Sequence, residues 1–350
     1  MAYTTVDDPT IYFNTVLYTG NSTDDRTVTG VGFQPDWVWI KDRSNARVHY
    51  LADRVRGDTK YLQSQATTAE ITSSSALKSI DSDGFTTGTS TTVNSNGETY
   101  VVWNWKAGGS ASSNSDGSIT TSVSANTTAG FSIVTYTLGS GSGSTTQGHG
   151  LGAVPHVIIN KSLDQTYNWQ IYHHKNTSAP ETERLKLNAT DATEDNNKPW
   201  NDTAPTSSVF THGDSSWNGT GDHVSYCFIE KKGYSKFGSY TGNGNTDGIF
   251  IYTGFRPAWF MYKSTSSTQN WIIQDNKREN PFNEINADFR ANLSDAENTS
   301  TSYNDIDFLS NGIKLREDNN DQNQSSGTYI YMAFAESPLV NSNGVPNNAR

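Results

Sequence analysis

The chain has 350 residues, with 25 basic against 36 acidic side chains and a formal net charge of −11. That balance excludes the basic footprint of a nucleic-acid binder and any attraction to an anionic membrane surface. A mean hydropathy of −0.67 would fit a disordered chain. The 9 Trp, 17 Tyr and 14 Phe require a packed interior instead.

Met1 to Asp8 holds neither a basic nor an apolar stretch, so no secretory signal is expected and synthesis in a cytoplasm is. No run approaches ~18 apolar residues, so no membrane insertion is expected. The single cysteine, Cys227, leaves no internal disulfide and no Cys-based zinc site.

In chain order, the same elements recur three times. Pro35 leads Lys41 by six residues across Trp37-Val38-Trp39-Ile40, and Pro155–Lys161 and Pro257–Lys263 keep that spacing. Tyr18, Tyr136 and Tyr240 precede those prolines by 17, 19 and 17 residues. His49, Trp169 and Trp271 each follow the lysine by eight. Tyr100 to Trp105, His223 to Phe228 and Tyr329 to Phe334 close the three units. Four blocks in one order at similar spacing point to a tandem duplication.

The blocks read as strands separated by Gly, Asn and Asp turns, which predicts an all-β chain. Its expected architecture is three tandem β-sandwich repeats, jelly-roll or lectin-like, of about 100 residues each with long polar loops. The expected boundaries are an N-terminal segment 1–12 and repeats 13–107, 131–231 and 232–338. A flexible Gly/Ser-rich linker, 108–130, and a C-terminal tail, 339–350, complete the chain. In the closing blocks Trp103 and Trp105 share one strand face, matched by Tyr226 and Phe228 and by Met332 and Phe334. With Trp37 and Trp259 they form the predicted repeat core. Asn104, Cys227 and Ala333 lie opposite and vary, which predicts a face under weaker constraint. Helix is expected only in short pieces at Asp191–Glu194 and Asp288–Glu297.

No catalytic residue and no cofactor is expected. Gly139-Ser140-Gly141-Ser142-Gly143 matches a hydrolase elbow only through low complexity. His173 and His174 are adjacent and point to opposite faces of a strand, which fits hydrogen-bonded or surface histidines better than a metal pair. Asp318, Asn320 and Asp321 are calcium candidates, in a stretch that reads first as a solvated hairpin loop. Trp200 and Trp217 have no counterpart in the repeated blocks and lie in polar loops. With His212 and Asp214 they are the candidate ligand-binding residues, since an exposed ring stacks on a sugar face or on a partner protein.

Phe33 to Lys41, Asp53 to Gly57, Tyr100 to Ala107, Gly148 to Gly152, Phe237 to Gly244, Gly254 to Lys263 and Tyr329 to Glu336 together resemble an uncharacterised repeat family. That family occurs in virion structural proteins of tailed bacteriophages, of the marine and cyanophage type. The resemblance implies a location, the virion, and other capsid or tail proteins as partners, with a homo-oligomer as one arrangement. It carries over no catalytic residue. The expectation is a non-enzymatic virion structural protein exposed on the particle surface, a capsid decoration or head appendage. The alternatives are a tail-fibre adhesin that binds host surface glycans and a polysaccharide depolymerase.

Overall fold

Trp37-Val38-Trp39-Ile40 is apolar at every position, the pattern of a strand covered on both faces, and all four side chains are buried. The same holds for Val157-Ile158-Ile159 and Trp259-Phe260-Met261-Tyr262. A computed structural model describes residues 4–140, 143–213, 219–278, 283–300 and 303–346. It is nearly all β, with 43% strand and 3% helix.

Three antiparallel sheets share one order of four strands. The first runs Phe13–Thr19, Thr99–Trp105, Trp37–Asp42, Tyr50–Asp53. The second contains Phe131–Leu138, Gly221–Phe228, Val157–Ser162, Gln170–His173. The third contains Ser235–Thr241, Thr328–Pro338, Phe255–Ser264, Ile272–Asp275. Register matches too: Trp37 pairs with Trp105, Val157 with Phe228 and Trp259 with Phe334.

The inner faces of all three sheets meet in one core. Trp37 stacks on Tyr226 of the second sheet at 4.5 Å between ring centroids. Trp105 meets Trp259 of the third sheet edge-on at 5.6 Å, and Phe228 lies 5.9 Å from Phe334. These rings thus fill a shared centre, in addition to three private interiors on the outer faces. Each outer face is also covered. Strands Arg26–Thr29, Leu77–Asp81 and Gly84–Thr87 cover the first sheet. Strands Thr145–Gly148 and Val209–His212 cover the second, and Phe250–Tyr252, Ile306–Leu309 and Gly312–Leu315 the third. Asn104, Cys227 and Ala333 are therefore buried, against the expectation of a less constrained face. A second apolar layer lies over it.

The seams between sheets follow a ring. His49 Nε2 donates to the carbonyl of Arg290 beside the third sheet at 3.1 Å. Trp169 Nε1 donates to Gln63 O beside the first, and Trp271 Nε1 to Lys186 O beside the second, both at 2.9 Å. First reaches third, second reaches first, third reaches second, so the contacts close.

A buried Asp–Arg pair sits at two of the seams. The Asp53 carboxylate accepts from Arg56 Nε at 2.5 Å and from the Tyr226 hydroxyl of the second sheet at 2.8 Å. Asp275 accepts from Arg278 Nε at 2.6 Å and from Trp103 Nε1 of the first sheet at 2.9 Å. At the third seam His173 stands where the aspartates stand, and its Nε2 donates to Tyr331 O at 3.1 Å. Met332, the counterpart of Tyr226 and Trp103, has no N–H or O–H to offer a carboxylate.

Several sequence expectations change. The expected linker forms strands Ser112–Asn114 and Thr121–Asn126, which extend the second sheet. Its serines and threonines alternate with Val123 and Ala125, and that alternation outweighs the flanking glycines. Neither expected helix forms. Phe289–Arg290 is a short strand whose ring packs 6.1 Å from Trp103, and Glu194–Asp195 pairs with Glu183–Arg184. The tail is held as far as it is described, because Ser342 N donates to Asp7 Oδ1 at 2.6 Å.

Candidate ligand-binding cleft

Along strand Phe131–Leu138 the residues facing inward are Phe131, Ile133, Thr135 and Thr137. The first two enter the shared core and the last two leave it, so the same face turns from apolar to hydroxylated. Across the sheet the pairing sets Ser113 beside Ser122 and Ser122 beside Thr135, and sets Thr137 beside Asp222. Neighbouring strands lie ~4.8 Å apart, so hydroxyls from three strands form one continuous surface.

This surface floors a cleft of about 700 Å³ between the second sheet and a corner of the first. Val55, Arg56 and Lys60 supply the opposite wall, with Ile119 and Leu163 as apolar flanks. The wall on the second sheet is fixed from behind. Thr121 Oγ1 donates to Gly148 O at 2.9 Å, and Ser118 N donates to Thr146 Oγ1 at 2.7 Å.

Charge in the cleft is balanced. Burial alone would lower the Arg56 pKa, but Asp53, Tyr226 and Glu70 outweigh it and hold the guanidinium charged. Glu70 bridges Arg56 Nη1 at 2.9 Å and Lys60 Nζ at 3.0 Å. Asp222 is exposed and accepts from Thr137 Oγ1 at 2.6 Å. The lining therefore offers many donor–acceptor hydroxyls, one available carboxylate and one partly exposed ammonium, with no surplus of positive charge.

The sequence candidates lie elsewhere. Trp200 is buried, not displayed, and packs 5.9 Å from Tyr172 in the layer outside the second sheet. An apolar ring in a polar loop has here plugged the loop onto the body. His212 is buried between Tyr136 and His223, and burial pushes its pKa down to about 3. Asp214 and Trp217 fall outside the described residues. Asp318 and Asn320 are exposed, whereas the buried Asp321 carboxylate accepts from the Tyr303 hydroxyl at 3.0 Å. Among the described residues no three His, Cys, Asp or Glu side chains gather as a metal site. His174 Nε2 donates to Phe237 O at 2.7 Å, so both adjacent histidines are tied to the third sheet. The core residues Trp37, Trp103, Trp105, Tyr226, Phe228, Trp259, Met332 and Phe334 all lie in the shared centre.

Sequence reading passed over the cleft because Ser and Thr at strand positions look like ordinary solvent-facing residues. The available signal was the period-two series Phe131, Ile133, Thr135, Thr137.

A family model described as Domain of unknown function (DUF7483) matches residues 8–338. The chain belongs to that family. The match takes in all three sheets, their outer layers and the whole of the cleft, so in this DUF7483 chain fold and cleft lie within one family domain. No curated protein and no solved structure matches the chain.

Proposed function

We propose that this chain is a non-enzymatic structural protein exposed on the surface of a tailed-bacteriophage particle, as a capsid decoration or head appendage made in the host cytoplasm. The resemblance of the blocks around Trp37, Trp103 and Trp259 to phage virion repeats supplies the location. The observation that carries the role is the closed ring of seams. Asp53, Arg56, Asp275 and Arg278, all buried, join one sheet to the next, and the rings fill one centre. Close-packed interiors of this kind deform little, which suits a part held by neighbouring proteins. A tandem origin of the three sheets belongs to the same proposal, since repeated surfaces offer repeated contacts.

A second reading, a tail-fibre adhesin for host surface glycans, is favoured by the polar cleft between the first and second sheets. Gold-labelled antibody against the chain, applied to purified particles, separates the two. Label over the head at capsid-scale copy number is the expected result. Label confined to the tail favours the adhesin, and particles without the chain remove both readings.

A further inference from the structure

We infer that the cleft between the second sheet and the Arg56–Lys60 corner of the first binds an uncharged oligosaccharide. The inference deepens the adhesin reading and rests on it for biological context.

Asymmetry is the first argument. The three sheets share strand order and register, yet among the described residues only the second continues past the first of its four shared strands, by Ser112–Asn114 and Thr121–Asn126. Strands Phe13–Thr19 and Ser235–Thr241 end the other two sheets at the equivalent place. Ordering backbone opposes folding by roughly 1–2 kcal/mol per residue. The cleft-facing side chains on the added strands, Ser113 and Ser122, are exposed and return little apolar burial. Val123 anchors these strands in the layer outside the second sheet, so their opposite, cleft-facing row of hydroxyls is ordered without apolar burial of its own, which points to use by a ligand.

The second argument is chemical fit. At about 700 Å³ the cleft lies within the roughly 300–1,000 Å³ usual for ligand sites. A sugar ring presents hydroxyls that both donate and accept, together with C–H faces. Thr135, Thr137 and Ser122 match the hydroxyls, Asp222 accepts, Lys60 donates, and Ile119 and Leu163 can cover an apolar face. Phosphorylated or strongly acidic ligands fit poorly, because Asp53 and Glu70 already neutralise Arg56 and Lys60. The wall is also held in place by Ser118 and Thr121, so little ordering remains to oppose binding.

The test uses the full chain on an array of neutral and acidic oligosaccharides, followed by calorimetric titration of the best neutral binder. Asp222→Asn and Thr137→Val, both at exposed positions, are each expected to weaken binding about tenfold. Unchanged Cys227 protection from thiol reagents shows that the variants are folded. Binding of a neutral glycan that both variants weaken supports the inference. An array without neutral hits, a preference for acidic glycans, or binding unchanged in both variants overturns it. Particle labelling stays independent: glycan binding by a chain found over the head refutes the tail location and leaves the cleft assignment standing.

Discussion

Histidine is where burial and solution conditions meet in this protein. Burial holds His49 well below its ordinary range, and His173 and His212 down to about 3, from an ordinary value of 6.5. The unfolded chain takes up protons near pH 6.5, while in the folded chain His173 and His212 refuse them until near pH 3 and His49 until well below its ordinary range. Between those values the unfolded state binds more protons, so stability falls as pH falls and is fully present above 6.5. Each group contributes about 1.4 kcal/mol per pH unit in that window. The urea midpoint at pH 5.5 is therefore expected to lie below that at pH 7.5, with His173 and His212 together lowering stability by up to about 3 kcal/mol and His49 acting in the same direction. A midpoint unchanged between those pH values would mean that the three imidazoles are not excluded from water. None of this could be read from the chain, because burial of one histidine depends on which sheet covers it. Trp200 teaches the same point: loop composition suggested display, and packing against Tyr172 decided burial.

Sheets in this molecule are joined by groups that match across each seam. Asp with Arg faces Tyr226 at one seam and Trp103 at another, while His173 stands with Asn176 opposite the counterpart Met332. A carboxylate needs a donor across the seam and a cation beside it; where the donor is missing, the Asp–Arg pair is missing too. Asp275→Ala would leave the fully buried Arg278 without its nearest anion and the Trp103 N–H without its acceptor. A loss of about 3–5 kcal/mol is expected by urea unfolding. Asp275→Ala combined with Arg278→Met removes the stranded charge and is expected to lose less than the single change. A single-variant loss below ~1 kcal/mol would show that the seam is wet. At this level the strand blocks were legible, since Pro, the apolar run and Lys recur at fixed spacing. The seam partners were not, because Asp53 and Tyr226 lie 173 residues apart. The segment 108–130 misled because flexible-linker composition and edge-strand composition overlap in Ser and Thr.

One shared core makes separate unfolding of the three units costly, since removing any sheet exposes the inner faces of the other two. The whole chain is expected to unfold in one urea transition. Cys227 provides the probe. It is the only cysteine, it is buried beneath the layer outside the second sheet, and burial pushes its thiol pKa up. Its reaction with a thiol reagent should follow the same midpoint as tryptophan fluorescence, to which the seven tryptophans of the shared centre contribute most. Thiol exposure at clearly lower urea would mean that the second sheet opens alone and that its seams are weak.

The fold class and the strand blocks follow from local pattern alone: alternation, apolar runs, turn residues and spacing act over a few residues. The ring closure, the common centre, the matched seam groups and the cleft depend on which distant faces meet. A strand that is apolar on both sides states that two layers cover it, and nothing in it says whose layers they are. Here they are the other two sheets on one side and a small private sheet on the other. The cleft arises where one of those inner faces runs past the common centre into solvent.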